Sequence, residues 1–200
     1  MHPNVEETVA APPQTQQDAR DEAFEQEALP WLDDVYRFAL SLTRDEADAE
    51  DIVQDTFLRA YRSWNTYAAG SDCRRWLFTI CRNAFLRSRE RERRTIELSD
   101  GERDAFAIGT PPLADTSPAA LEDILYRADL LPAIERALER VPAPFRSALV
   151  LVDIEEQSYE AAAEILGVPI GTVRSRLFRG RRIMQDLLIA HARDAGIVRS

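Results

Sequence analysis

Between Thr172 and Arg182 the chain carries five arginines (Arg174, Arg176, Arg179, Arg181 and Arg182) and no acidic residue. A guanidinium is a planar fork of donors that fits the edge of a guanine or the oxygens of a phosphate. Thr172 and Ser175 add hydroxyls, which serve several bases, and Phe178 adds an apolar ring. A second basic block runs from Arg74 to Arg94, with eight arginines against Glu90 and Glu92. Both blocks suit a nucleic-acid backbone, although the net charge of the chain is −10. Local distribution, not the sum, decides what a surface attracts. Acid is concentrated in the first 55 residues and in the middle of the chain.

Catalysis has little to work with. The two histidines, His2 and His191, stand far apart, and no Gly-rich phosphate loop or metal-ligand spacing is present. Neither an enzyme nor a bound metal or cofactor is expected. Cys73 and Cys81 lie eight residues apart in a helical stretch, too far for a local disulfide. They read as reduced thiols, with redox sensing as the alternative.

The C-terminal arginines need a helix to aim them, and the pattern supplies one. Ser158 can cap a helix over Tyr159–Leu166. Ala161, Ala162 and Ala163 are small enough for a second helix to cross. Gly167 tolerates the left-handed turn between the two. A last helix is expected from about Ile170 to Leu188, with Val168, Val173 and Leu177 inward and the arginines outward. That is a helix-turn-helix, whose second helix reads the major groove. Thr172, Arg174, Ser175, Arg176, Phe178 and Arg179 are its candidate DNA contacts.

The N-terminal half predicts a helical module over about 27–95. Leu29, Leu32, Val35, Tyr36, Ala39, Leu40 and Leu42 form one stripe. A second helix begins near Asp45, with acids in its first turns where they suit the helix dipole, and continues through Ile52, Val53, Phe57, Leu58 and Tyr61. Asn65 to Asp72 reads as a loop. A third helix, about Arg74 to Arg93, buries Trp76, Leu77, Ile80, Ala84 and Phe85. Residues 1–26 are polar and read as disordered. Residues 96–126 are acidic and interrupted by Pro111, Pro112 and Pro118, and read as a linker. Helical pattern returns at 127–195, where Leu130, Leu131, Ile134, Leu138 and Val141 form a stripe. The expected fold is all-α, two small helical domains joined by that linker. No apolar run reaches bilayer length. Met1 to Arg20 lacks the basic start and apolar core of a secretory signal. A cytoplasmic location without membrane insertion is therefore expected.

The run Val168-PIGTVRSRLFRGR-Arg182 resembles region 4.2 of extracytoplasmic-function (ECF) sigma factors. Asp48-AEDIVQDTFLRAYRS-Trp64 resembles their core-binding helix, and Arg75-WLFTICRNAFLRSRE-Arg91 their promoter-melting helix. The resemblance implies a factor that binds core RNA polymerase and directs initiation at promoters carrying −35 and −10 elements. It assigns Asp48, Asp51, Ile52, Gln54, Asp55 and Phe57 to the β′ clamp. It assigns Tyr67, Ser71, Asp72, Arg74, Arg75 and Asn83 to the −10 element, and the recognition helix to the −35 element. It further implies contact with the β flap, an inhibitory anti-sigma factor, a monomer when free of partners, and an acidic linker that threads toward the RNA channel. Cys73 departs from the small polar set usual in the −10 loop. The competing reading is a dimeric helix-turn-helix regulator acting without polymerase. An acidic helix followed by a second Arg-rich helix is the feature against it.

Overall fold

The computed structural model describes residues 16–68, 70–97 and 130–195, and every regular element among them is helical. The first module comprises α1 (Gln16–Glu27), a 3₁₀ turn at Leu29–Trp31, α2 (Leu32–Thr43), α3 (Glu46–Arg62), a second 3₁₀ turn at Trp64–Thr66, and α4 (Cys73–Glu97). The second comprises α5 (Leu130–Arg140), α6 (Ala143–Leu149) running into a π turn at Val150–Ile154, α7 (Tyr159–Leu166) and α8 (Ile170–Asp194).

Local chemistry sets the helix ends. Asp45 caps α3 by accepting from the Asp48 N–H, and Ser158 caps α7 by accepting from the Ala161 N–H. Each satisfies a donor that has no intrahelical partner. Arg44 (φ 67°) ends α2 and Gly167 (φ 60°) ends α7, both in the left-handed region. The apolar faces then close the modules. In α4 the buried positions Leu77, Phe78, Cys81 and Ala84 recur at helical spacing against Val35 and Phe38 of α2 and Ile52 and Val53 of α3. In the second module Val173 and Leu177 of α8 pack with Ala162, Ile165 and Leu149. Each fully buried large side chain contributes about 1.5–3 kcal/mol. A single apolar cluster runs through both modules, with α2 against α6 and α4 against α7.

The structure departs from the sequence expectations in four places. Residues 16–26, expected to be disordered with the rest of 1–26, belong to α1, anchored by buried Phe24; residues 1–15 lie outside the described residues. Leu29 and Leu32 are exposed, because Pro30 starts a separate turn and rotates them off the stripe. Leu131 points outward at 73% exposure, and Ala133 and Ala137 are buried in its place. The last helix runs on to Asp194, six residues past Leu188, since Ile189 and Ala192 continue its buried face. Most of the linker, residues 98–126, lies outside the described residues, as do 127–129.

Candidate nucleic-acid interface

α8 divides its faces cleanly. Val173, Leu177 and Gly180 are buried. A side chain on Gly180 would meet the Leu149 side chain at 3.0 Å, so glycine here sets how closely α8 lies on α6. On the opposite face Arg174, Ser175, Phe178 and Arg179 are exposed, Phe178 at 70%. An aromatic ring left this open carries the cost of wetting its surface unless a partner covers it. Thr172 and Arg176 are half-buried, and burial lowers the Arg176 pKa. Farther along, Arg181 is tied to Asp153 at 2.6 and 3.0 Å, which raises its pKa and holds α8 to the π turn. Thr172, Ser175, Arg176 and Arg179 line one wall of a cleft of about 760 Å³. Asp48, Asp51 and Ile52 of α3 are on its other side.

α3 presents Asp48, Asp51 and Gln54 to solvent, but Ile52 is in the core at 5% exposure. Asp55 pairs with Arg59 at 2.8 Å one turn on. Phe57 is half-buried against Phe24. The apolar group that does face outward is Leu58, 47% exposed and one turn beyond Gln54. Its apolar character hid this in the sequence, where it reads as core.

The six −10 candidates separate into three places. Tyr67, Ser71 and Asp72 share the loop before α4. Tyr67 stacks on Trp64 with centroids 4.7 Å apart and donates its hydroxyl to the Ser71 carbonyl at 2.6 Å. Gly70 turns this loop with φ 83°, a conformation in which a side chain is strained. Asp72 accepts from the Arg75 N–H at 2.9 Å and so acts as a helix cap. Asn83 lies in a shallow groove of about 360 Å³ with Ile80 and Arg87 on α4 and Arg59, Arg62 and Ser63 at the end of α3.

Arg74 and Arg75 belong elsewhere. Nine residues at 100° each place Arg74 and Asn83 on opposite faces of α4. Arg74 faces the second module, where its Nη atoms donate to the carboxylate and carbonyl of Glu155. Its Nε lies 2.7 Å from Asp34, close enough to pair in charge but not aligned for a hydrogen bond. Arg37 holds the same Glu155 carboxylate at 2.7 Å, the main reason its pKa is raised. Glu155 is wholly buried. Arg75 pairs with Glu164 of α7. Arg82 lies over the Gly167 turn, where an added side chain would meet its guanidinium at 2.9–3.1 Å.

A reciprocal exchange completes the junction. Arg146 of α6 reaches the end of α2 and donates to the Ser41 carbonyl at 2.8 Å. Arg44 returns the contact by donating to the Val141 carbonyl at 2.7 Å. Each cation meets carbonyls at a helix C-terminus, where the dipole is negative. Burial, helped by the nearby Arg44, pushes the Arg146 pKa down to about 10. None of Arg37, Arg146 and Glu155 stood out in the sequence, where their partners across the junction lie 81 to 118 residues away.

Comparison with known proteins agrees with this geometry. The Sigma-70 region 2 family model matches residues 29–95 and the Sigma-70 region 4 model matches residues 131–184. The ECF RNA polymerase sigma factor EcfG of Rhodopseudomonas palustris is 37% identical over 80% of this chain and 82% of its own length. This chain belongs to the ECF sigma factors of the sigma-70 family. The ECF sigma factor SigE of Mycolicibacterium smegmatis is 39% identical over 81% of this chain, which spans 60% of that relative's length. Among solved structures, the sigma factor RpoE of Bartonella quintana, crystallised in complex with the anti-sigma factor NepR, superposes with a TM-score of 0.63 at 34% identity. The match covers 84% of this chain and 97% of that one. The two matched regions coincide with the two helical modules, so the recognition helix is part of region 4 and the groove around Asn83 part of region 2. Among the described residues no helix is long and apolar enough to cross a membrane.

Proposed function

We propose that this sigma factor binds core RNA polymerase in the cytoplasm and directs initiation at promoters with −35 and −10 elements, using two separate basic surfaces. The observation that carries the reading is the exposed face of α8, with Arg174, Ser175, Phe178 and Arg179 free of the core. A helix in the major groove reads base edges with such side chains, and its half-buried Thr172 and Arg176 are placed for phosphates. For the −10 element the groove of Asn83, Arg59, Arg62 and Arg87 suits a displaced strand, since cations follow a backbone while a polar group meets a base. Tyr67, Ser71 and the Asp72-capped loop border the same module. Arg74 and Arg75 do not line this groove, and in the arrangement described they pair with Glu155 and Glu164 at the junction with region 4. For the polymerase, Asp48, Asp51, Gln54 and Asp55 supply charge that steers docking, and Leu58 supplies an apolar anchor.

The two surfaces cannot work at once in the arrangement described. Elements named for positions −35 and −10 are about 25 base pairs apart, or ~85 Å at ~3.4 Å per step. A compact chain of this size has a radius of gyration of only about 16 Å. Region 2 and region 4 therefore part when the factor engages polymerase and promoter. An anti-sigma factor fits the opposite state, seated where the clamp-facing residues of α3 and the reading residues of α8 share a cleft. In vitro transcription from a genomic library with purified core polymerase tests the reading. Promoter-specific transcripts are expected only with both proteins present. Tight binding of a palindromic duplex by the chain alone, with no transcripts, would favour the conventional regulator.

A further inference from the structure

α1 precedes the region that the family model matches, and no role is assigned to it. It is nevertheless joined to region 2 by dense aromatic and polar contacts. Phe24, 7% exposed, meets Phe57, Tyr61 and Trp64 edge-on with centroids 6.5, 5.3 and 5.1 Å apart. Trp64 stacks on Tyr67, and Trp76 of α4 closes the group at 5.9 Å from Trp64 and 5.1 Å from Tyr67. Around this core Asp21 accepts from the Tyr61 hydroxyl at 2.6 Å, and Gln17 donates to it at 2.8 Å. Arg20 stacks on the Tyr61 ring with its central carbon 4.5 Å from the centroid. At the far end of α1, Glu27 lies beside Tyr67 and Cys73; burial raises the pKa of both, and Glu27 adds to the shift.

The chain of contacts has a direction. It starts on α1, passes through Phe24 and Trp64, and ends on Tyr67, the residue that fixes the loop leading into α4. Rings packed edge to face prefer particular angles, and each such pair contributes about 0.5–1.5 kcal/mol beyond area burial. Holding a loop in a few tenths of an ångström of its working geometry requires locked neighbours of this kind. We propose that α1 is a positioning element for the −10 loop, with Phe24 as the residue that locks it. The inference rests on assigning the loop from Tyr67 to Asp72 to the −10 element. Phe24 touches no DNA; it acts through Trp64 and Tyr67.

The test compares Phe24→Ala, Phe24→Leu and Glu27→Gln in the full chain. Hydrogen exchange of the segment from Trp64 to Asp72 reads the loop directly, since the Ser71 and Tyr67 N–H groups are bonded at 2.9 and 3.0 Å. Phe24→Ala is expected to raise exchange there at least tenfold, with α2 and α8 unchanged. Phe24→Leu, close in volume, should restore most of the protection. Glu27→Gln keeps the core intact and should give a smaller rise confined to the loop, which covers the case in which Phe24→Ala fails to fold. In holoenzyme, Phe24→Ala should slow promoter opening about tenfold while core affinity stays within twofold. Unchanged loop exchange in folded Phe24→Ala overturns the proposal. So does a rise spread evenly over the module with an equal loss of core affinity, which would mark α1 as general support. The exchange arm needs neither polymerase nor promoter. A failure of the sigma-factor reading shows instead as wild-type protein that yields no transcripts.

Discussion

Region 4 displays its arginines and region 2 turns several of its own inward. On α8 the face carrying Arg174, Ser175, Phe178 and Arg179 is open, while Arg181 farther along pairs with Asp153. On α4 the arginines Arg74, Arg75 and Arg82 are turned toward the other module, two of them on carboxylates. The groove around Asn83 and the arginines from Arg87 to Arg94 at the end of α4 remain open. The difference teaches that a basic run in a sequence is not one surface. Helical rotation distributes it, and acids supplied by a distant segment claim part of it. Asp34, Glu155 and Glu164 stand where phosphates otherwise could.

Removing the carboxylate at the junction is the strongest way to break this asymmetry. Glu155 is wholly buried and its two partners lie on different helices. Deleting one partner of a buried pair costs 3–5 kcal/mol, because the remaining charge stays desolvated. Arg37 is nearly half exposed, so the expected cost of Glu155→Ala is at the low end, about 3 kcal/mol. Urea denaturation measures it. Small-angle scattering should show a larger radius of gyration, since the loss falls on the contact between modules and not within either. Glu164→Ala is the control. Its pair with Arg75 is well exposed on both sides, and such pairs contribute about 0–1 kcal/mol. Equal effects from the two variants would remove the distinction between a buried latch and a surface pair.

Much of region 4 was legible in advance and less of region 2, for a physical reason. The helix-turn-helix is specified locally: Ser158 caps, Gly167 turns, Val173 and Leu177 face inward, and all lie within twenty residues. Region 2's site depends on rotation around α4 and on partners from elsewhere in the chain. The family resemblance grouped Arg74 with Asn83, although nine residues of helix turn them to opposite faces. Glu155 reads as one acid among several in a loop, and only tertiary contact with Arg37 and Arg74 singles it out. α1 was missed because a polar helix with one buried ring carries almost no periodic signal. Leu58 was grouped with the other apolar residues of its helix because composition cannot tell an apolar anchor from a packed side chain.

The open face of α8 gives the next effect. Arg174→Ala should weaken binding to a −35 duplex by about 1–3 kcal/mol, roughly five- to 150-fold, and relax preference at one base position. Arg176→Ala, at a half-buried position suited to phosphate, should weaken all sequences alike and lower the salt dependence by about one charge. Titration of both variants at several salt concentrations separates the two. Uniform loss from both would mean that α8 holds the backbone and reads no base there. A smaller effect comes from the buried side of the same helix. Gly180→Ala places a methyl group 3.0 Å from Leu149 and should cost about 1–2 kcal/mol, despite alanine's better helix propensity. Leu149→Ala in the same chain should recover part of it, as thermal melting would show.

The smallest expected effect concerns the thiols, and it sharpens what region 2's interior is for. Cys73 and Cys81 of α4 are both buried in the apolar core. Burial pushes the Cys73 thiol up to about 11, with the Glu27 charge adding to it, and the Cys81 thiol up to about 12. The nucleophile is the thiolate, so at pH 8 the folded protein should barely react with iodoacetamide, while urea-unfolded protein reacts at both positions. The sign of the pH effect follows from the raised values. Stability from these groups is fully present below the unfolded thiol pKa, near 9, and is lost as pH rises through about 11 and 12. Between pH 6 and 8 the melting temperature should not move on their account. Fast alkylation of Cys73 in the folded state at pH 8 would reverse this. It would show that the loop at the start of α4 opens on its own, and that α1 does not hold it shut.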